Sequence, residues 1–315
     1  MKRKNVTMMN EFKPEGTMQN IIYTKSVLDR AMLTGKILEA KVKMCDENLN
    51  LIVDLGCMKG FIPKEEAALG IREGKTRDIA VISRVNKVCC FFVKGFKQIK
   101  GEVFALLSRT EAQQTALDYM FSHYEVGDIV DAKITHLDRF GAFADIGCGV
   151  VGLISIENIS VSRISHSEDR FRVGQNVRVV IKDKDPENKH FFLSHKELLG
   201  TWLENASRFV PGQTVPGCVR SVEDYGIFVE LTPNLSGLAE VGNYGDLPKG
   251  KGVSVYIKNI VPEKMKIKLS IVDVFDEPVL PPEKYDYFIN GNRIDNFSYG
   301  TSSAVKHSSA MFKKI

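Results

Sequence analysis

No run of the roughly 18 apolar residues that a membrane span requires occurs in this 315-residue chain. Contact with a membrane is therefore not expected. Tryptophan occurs once, as Trp202. The six cysteines (Cys45, Cys57, Cys89, Cys90, Cys148, Cys218) include no CxxC pair and no histidine at metal spacing, which argues against a zinc site. Most lie in apolar, strand-like surroundings, where a free thiol acts as a small hydrophobe. A reducing cytoplasm is the simple expectation. The six histidines form no HExxH or metal-spaced group, and nothing reads as a nucleophile beside its base. No metal, cofactor or enzymatic activity is expected. Met1-Lys2-Arg3-Lys4-Asn5 opens onto polar sequence, so no secretory signal is expected.

Two apparent phosphate motifs fail on context. Gly147-Cys148-Gly149-Val150-Val151-Gly152 fits GxGxxG. A dinucleotide site needs a helix starting there, to face the pyrophosphate, and Leu153-Ile154-Ser155-Ile156 reads as strand. Gly70-Ile71-Arg72-Glu73-Gly74-Lys75-Thr76 has three residues between glycines where a phosphate loop needs four.

Apolar residues make up 43% and charged residues 26%, as in ordinary globular proteins. The net charge is only +4. Any nucleic-acid site must come from local placement of Lys and Arg.

One pattern recurs. Phe140-Gly141-Ala142-Phe143-Ala144-Asp145-Ile146 returns 85 residues later as Tyr225-Gly226-Ile227-Phe228-Val229-Glu230-Leu231. Gly152-Leu153 and Gly237-Leu238 keep the same offset. A repeat of that length is a small domain. Around the clearer copy lie alternating stretches at 127–134 and 174–181 and a closing strand through Phe192-Leu193-Ser194. Five short strands with this spacing suit a small closed barrel. The later copy ends at Ile267-Lys268-Leu269-Ser270. A more diverged unit begins at Gly35, with Leu51–Gly56 and Gly60–Pro63 in matching places.

The expected organisation is an N-terminal tail and short helix (1–33), a diverged barrel (34–110) and a helical linker (111–123). A barrel (124–195), a second linker (196–208) and a third barrel (209–272) follow. A partly ordered, Pro- then Ser/Gly-rich tail (273–315) ends the chain. The fold class is all-β, three tandem five-stranded barrels joined by short helical linkers.

These residues resemble the S-one RNA-binding domain, an oligonucleotide-binding-fold barrel. The tandem arrangement resembles the bacterial small-subunit ribosomal protein S-one family, over roughly 34–272. In that family two aromatics three apart, a histidine after Gly-Leu, and an Asp and Arg near the last turn form the RNA face. The resemblance places the rings on Phe140 and Phe143, and on Tyr225 and Phe228. It puts Ser155 and Glu240 at the histidine position, Asp185 and Val261 at the Asp position, and His190 and Lys266 at the Arg position. In the first unit the ring positions are Leu49 and Ile52, so that barrel is not expected to stack bases.

Exposed rings in a groove stack bases with little sequence preference. Lys133, Arg139, Arg178, Arg220, Lys258 and Lys266 are candidates to neutralise phosphates. Strand side chains alternate faces, so two rings three apart should diverge; the intervening glycine is expected to allow a bend that turns both outward. The resulting expectation is a monomeric, cytoplasmic, ribosome-associated protein. It would bind single-stranded RNA, mRNA in particular, and contact the small ribosomal subunit. The alternatives are a protein-binding scaffold in RNA decay or transcription, and an RNA-processing enzyme, for which no segment is left to form a catalytic domain.

Overall fold

The computed structural model describes residues 12–17, 22–99, 101–242, 244, 247–300 and 309–312. Met1–Asn5 and the Ser/Gly-rich stretch 301–308 lie outside them. The chain forms two compact units, residues 1–124 with 145–151 and residues 125–144 with 152–315. Among the described residues no helix is long and apolar enough to cross a membrane.

Three closed five-stranded barrels follow one another, as the sequence pattern predicts. Barrel one is built from β1 (Leu38–Cys45), β2 (Leu51–Asp54), β3 (Lys59–Ile62), β4 (Val88–Ile99) and β5 (Glu102–Ser108). Barrel two uses β6 (Ile129–Asp138), β7 (Gly141–Gly147), β8 (Val150–Ser155), β9 (Asn176–Asp185) and β10 (His190–Ser194). Barrel three uses β11 (Thr214–Glu223), β12 (Gly226–Thr232), β13 (Leu235–Ala239), β14 (Lys251–Val261) and β15 (Lys266–Pro278).

Each barrel has the same strand order. The third strand pairs in parallel with the fifth (Gly60↔Ala105, Leu153↔Phe192, Leu238↔Lys268), and the first closes antiparallel on the fourth. This is the oligonucleotide-binding arrangement, in which closure leaves no free sheet edge. Period-two alternation sends one side of each strand inward. Val42, Val53, Ala142, Ala144, Ile154, Val179, Ile227 and Val229 accordingly fill the three interiors.

In unit one, the helix Lys25–Thr34 precedes barrel one. It stops at Gly35, which takes a left-handed conformation and returns its N–H to the Ala31 carbonyl; glycine accepts that geometry without steric cost. A second helix, Arg109–His123, begins where the Ser108 hydroxyl accepts the Glu111 N–H, a cap that satisfies one of the free donors of the first turn.

In unit two, Asn234, fully buried in the β12–β13 turn, ties barrel three to its neighbour. Its side-chain amide donates to the carbonyls of Lys196 and Gly200, 2.8 Å each, and its oxygen accepts the Val161 N–H at 2.9 Å. A C-terminal segment packs along barrel two: Arg178 donates to the carbonyls of Ile289 and Gly291, and Tyr287 bonds the Arg178 N–H. Two short strands, β16 (Asn296–Ser298) and β17 (Ser309–Met311), pair near the end.

His195 sits where that segment meets barrel two. It is fully buried, with Nδ1 3.1 Å from the Ile159 carbonyl and Nε2 3.3 Å from the Tyr287 hydroxyl. A neutral ring satisfies both, donating to the first and accepting from the second. Burial pushes its pKa down to about 4. The unfolded chain has the ordinary value near 6.5, so between those pH values the unfolded state holds a proton that the folded state refuses. Stability is complete above pH 6.5 and is lost as pH falls toward 4. Urea unfolding followed by the fluorescence of Trp202, buried in unit two, should show a loss of about 2 kcal/mol between pH 7 and pH 5. The loss should shrink in His195→Gln; an equal loss in both proteins would contradict this assignment.

Candidate nucleic-acid interface

The two ring pairs have the same geometry in both barrels. Phe140 and Phe143 lie with centroids 5.9 Å apart and planes at 86°. Tyr225 and Phe228 lie 6.2 Å apart at 87°. Phe140 is 52% exposed and Tyr225 70%, while Phe143 and Phe228 are half-buried. All four reach solvent, and none lies in a barrel core.

The local cause differs from the bend expected at the glycine. Phe140 and Tyr225 sit in the turns that precede β7 and β12, so strand alternation does not bind them. Phe143 and Phe228 point outward from the third strand position, after Ala142 and Ile227 have turned in. Gly141 and Gly226 serve close approach of the next strand. A Cβ on Gly141 would lie 2.2 Å from the Ile154 carbonyl oxygen, and one on Gly226 2.8 Å from that of Ala239.

The register extends the outer face sideways. In barrel three, Ser221 pairs with Phe228, Phe228 with Leu238, Leu238 with Lys268 and Lys268 with Asn259. Lys268 is exposed and stands one strand beyond Leu238. Its counterpart in barrel two is Phe192, 38% exposed and paired with Leu153. His136 adds a further ring 6.0 Å from Phe143. Barrel two thus offers a more aromatic face and barrel three a more basic one. Sequence reading missed Lys268, Phe192 and His136. The matching Leu193-Ser194 and Leu269-Ser270 steps, which directly follow Phe192 and Lys268 in β10 and β15, could have pointed to the first two.

The remaining predicted residues divide by what they touch. Asp185 holds the β9–β10 turn, accepting the N–H groups of Glu187 and Asn188 at 3.0 and 3.1 Å and the Asn188 amide at 2.7 Å. The side-chain bond from Asn188, then the backbone bonds, hold its pKa below the ordinary carboxylate value. His190, exposed, lies directly across the ladder from it. Arg139 is exposed in the turn before Phe140, and its N–H bonds Asp138 at 2.6 Å. Lys133 is half-buried on β6, and Lys266 opens β15, exposed, across from Val261. Lys258 pairs with Glu240, which holds the histidine position, at 2.9 Å; both are exposed, so the pair contributes little to stability.

Arg220 occupies the irregularity where β11 slips against β12. Its guanidinium makes two bonds to Glu230, at 2.8 and 3.0 Å, and Arg170 reaches the same carboxylate. Arg178 is bonded to the C-terminal segment, as described above. Among the described residues no group of three His, Cys, Asp or Glu is placed to hold a metal.

Residues 123–196 match the family described as the S1 RNA binding domain, the S-one type. The match spans all five strands of barrel two. Fold and match together define the class, a protein of three tandem oligonucleotide-binding barrels of which the second is of the S1 type. The chain is similar to small ribosomal subunit protein bS1 over most of its length. The bS1 homolog of Bacillus subtilis (strain 168) is 27% identical over 285 residues, 82% of this chain and 68% of that protein. The bS1 of Staphylococcus aureus (strain COL) is 30% identical over 260 residues, 78% of this chain and 64% of that protein. A solved multidomain protein with nucleic acid binding domains from Streptococcus pneumoniae TIGR4 is 14% identical. It covers 81% of this chain and 76% of its own, with a TM-score of 0.25.

Proposed function

We propose that barrels two and three hold single-stranded RNA, mRNA at the small ribosomal subunit in particular, as a cytoplasmic, monomeric, non-enzymatic translation factor. The observation that carries this reading is the repeated ring pair: two barrels present the same edge-on aromatics, at matching distances and angles, to solvent. An isolated pair on a strand is ordinarily core. Two exposed copies with one geometry make a platform on which successive bases stack. Arg139, His190, Lys266 and Lys268 flank the platforms and supply charge or hydrogen bonds for the backbone. Two weak sites held in one unit reinforce each other through effective concentration.

Barrel one has no rings at the two matching positions. Leu49 lies in a turn with φ 64° and Ile52 is half-buried on β2. Its role in this reading is to brace the array or to dock a protein partner.

Sedimentation of the full chain on sucrose gradients, with and without RNase, tests the proposal. Migration with the small subunit or with mRNA complexes, collapsing to the free monomer after RNase, is the expected result. A protein complex that survives RNase, with no salt-sensitive RNA affinity, would replace this reading with the scaffold one.

A further inference from the structure

A groove of about 620 Å³ lies beside the ring pair of barrel three, lined by Tyr225, Phe228, Arg220, Glu223, Lys249 and Arg163. Two lining residues, Ser162 and Arg163, do not belong to that barrel. Arg163 comes from the loop between β8 and β9 of barrel two. The two residues before it are pinned to the β12–β13 turn. Val161 N–H bonds Asn234 at 2.9 Å, Ser162 N–H bonds the Pro233 carbonyl at 3.1 Å, and the Ser162 and Ser236 hydroxyls meet at 2.9 Å. Arg163 is therefore delivered to this groove by three hydrogen bonds across the joint.

The charges of the groove are unequal. Glu230 occupies Arg220. Arg163 and Lys249 are exposed and make no ion pair among the described residues. Glu223 is the only carboxylate among the described residues of the lining. Two free cations and the hydroxyls of Ser162, Ser221 and Ser236 beside a pair of exposed rings suit a phosphodiester whose base stacks on the rings.

We propose that Arg163 is a phosphate-binding residue of barrel three's RNA site, supplied by barrel two, so that the two barrels form one composite site with a fixed spacing along the strand. The inference rests on the RNA-binding reading above and adds to it a residue and a register. An RNA strand stacked on Tyr225 and Phe228 would lay its backbone between Arg163 and Lys249, and its binding would reinforce the joint that delivers Arg163.

The test is fluorescence anisotropy with a labelled oligouridylate of about twelve nucleotides and the full chain, across a salt series. Arg163→Ala should weaken binding about fivefold and reduce the slope of log K against log salt by about 0.7, the value for one phosphate contact on a single strand. Arg163→Lys should keep the slope. The Arg163→Ala effect should persist in Phe140→Ala/Phe143→Ala, where only barrel two's rings are lost, and should vanish in Tyr225→Ala/Phe228→Ala. Unchanged affinity and slope in Arg163→Ala, with Tyr225→Ala still weakening binding, would overturn the composite site alone. Unchanged binding in both ring variants would overturn the RNA-binding reading and this inference with it. An Arg163→Ala effect that survives loss of Tyr225 and Phe228 would show diffuse charge attraction and also overturn it.

Discussion

Replacing Phe140, Phe143, Tyr225 and Phe228 together by alanine should lower affinity for an unstructured RNA by at least tenfold while leaving the barrels folded. Each stacked base contributes about 1–3 kcal/mol by alanine substitution. One stacked base per barrel at the lower figure gives about 2 kcal/mol, roughly thirtyfold in affinity. The fold should survive because none of the rings lies in a core; Phe140 and Tyr225 are more than half exposed. Circular dichroism and titration on one sample separate the two quantities. Substituting one pair alone should leave the other barrel's binding, with a smaller loss. Unchanged affinity in the quadruple variant would refute stacking, and a collapsed fold would show the rings to be structural.

The largest effect on stability is expected at a buried ion pair in unit one. Arg109 Nε and Nη2 donate to the two Glu15 oxygens at 2.7 and 2.9 Å, and Nη1 donates to Ala67 and Gln113 at 3.0 Å each. Both side chains are almost fully enclosed. Burial alone would raise the Glu15 carboxyl; the charge and hydrogen bonds of Arg109, with help from Arg84, overcome it and hold the pKa below the ordinary value. The Glu15 N–H in turn donates to Asp145 at 2.7 Å. Burial, then the Glu15 charge, pushes the Asp145 carboxyl up to about 7.

Removing one member of such a pair strands a charge out of water, at about 3–5 kcal/mol. Arg109→Met should therefore destabilise unit one by that amount, read as faster hydrogen exchange in β4 and β5. Combining it with Glu15→Leu should recover a good part, because the stranded carboxylate is then gone. A loss below about 1 kcal/mol in the single variant would place the pair among surface-like ion pairs.

The barrels were legible because closed barrels of short strands leave period-two alternation and turn residues in the sequence, and because a unit was written twice. The outward-facing rings were legible for the same reason: only repetition separates a platform from a pair of core residues. The cause assigned to them was not legible. Whether Phe140 and Tyr225 fall on a strand or in the turn before it depends on where pairing starts, and that is set by the partner strand. Charge partners were hidden as well. Arg178 and Arg220 look alike in sequence, yet one meets carbonyls of the C-terminal segment and the other a carboxylate ten residues on. Arg163 lies in the β8–β9 loop, beyond the residues that repeat, so no spacing pointed to it. The Glu15–Arg109 pair joins residues 94 apart, and no local pattern signals such a contact.

The most direct measurement is the ring-proton chemical shift of Phe and Tyr residues, observed by NMR in selectively labelled protein titrated with oligouridylate. Bases stacked on the platforms should shift the signals of Phe140, Phe143, Tyr225 and Phe228, and leave the enclosed Phe171 and Phe191 unmoved. Saturated binding that leaves those four signals in place would contradict the account.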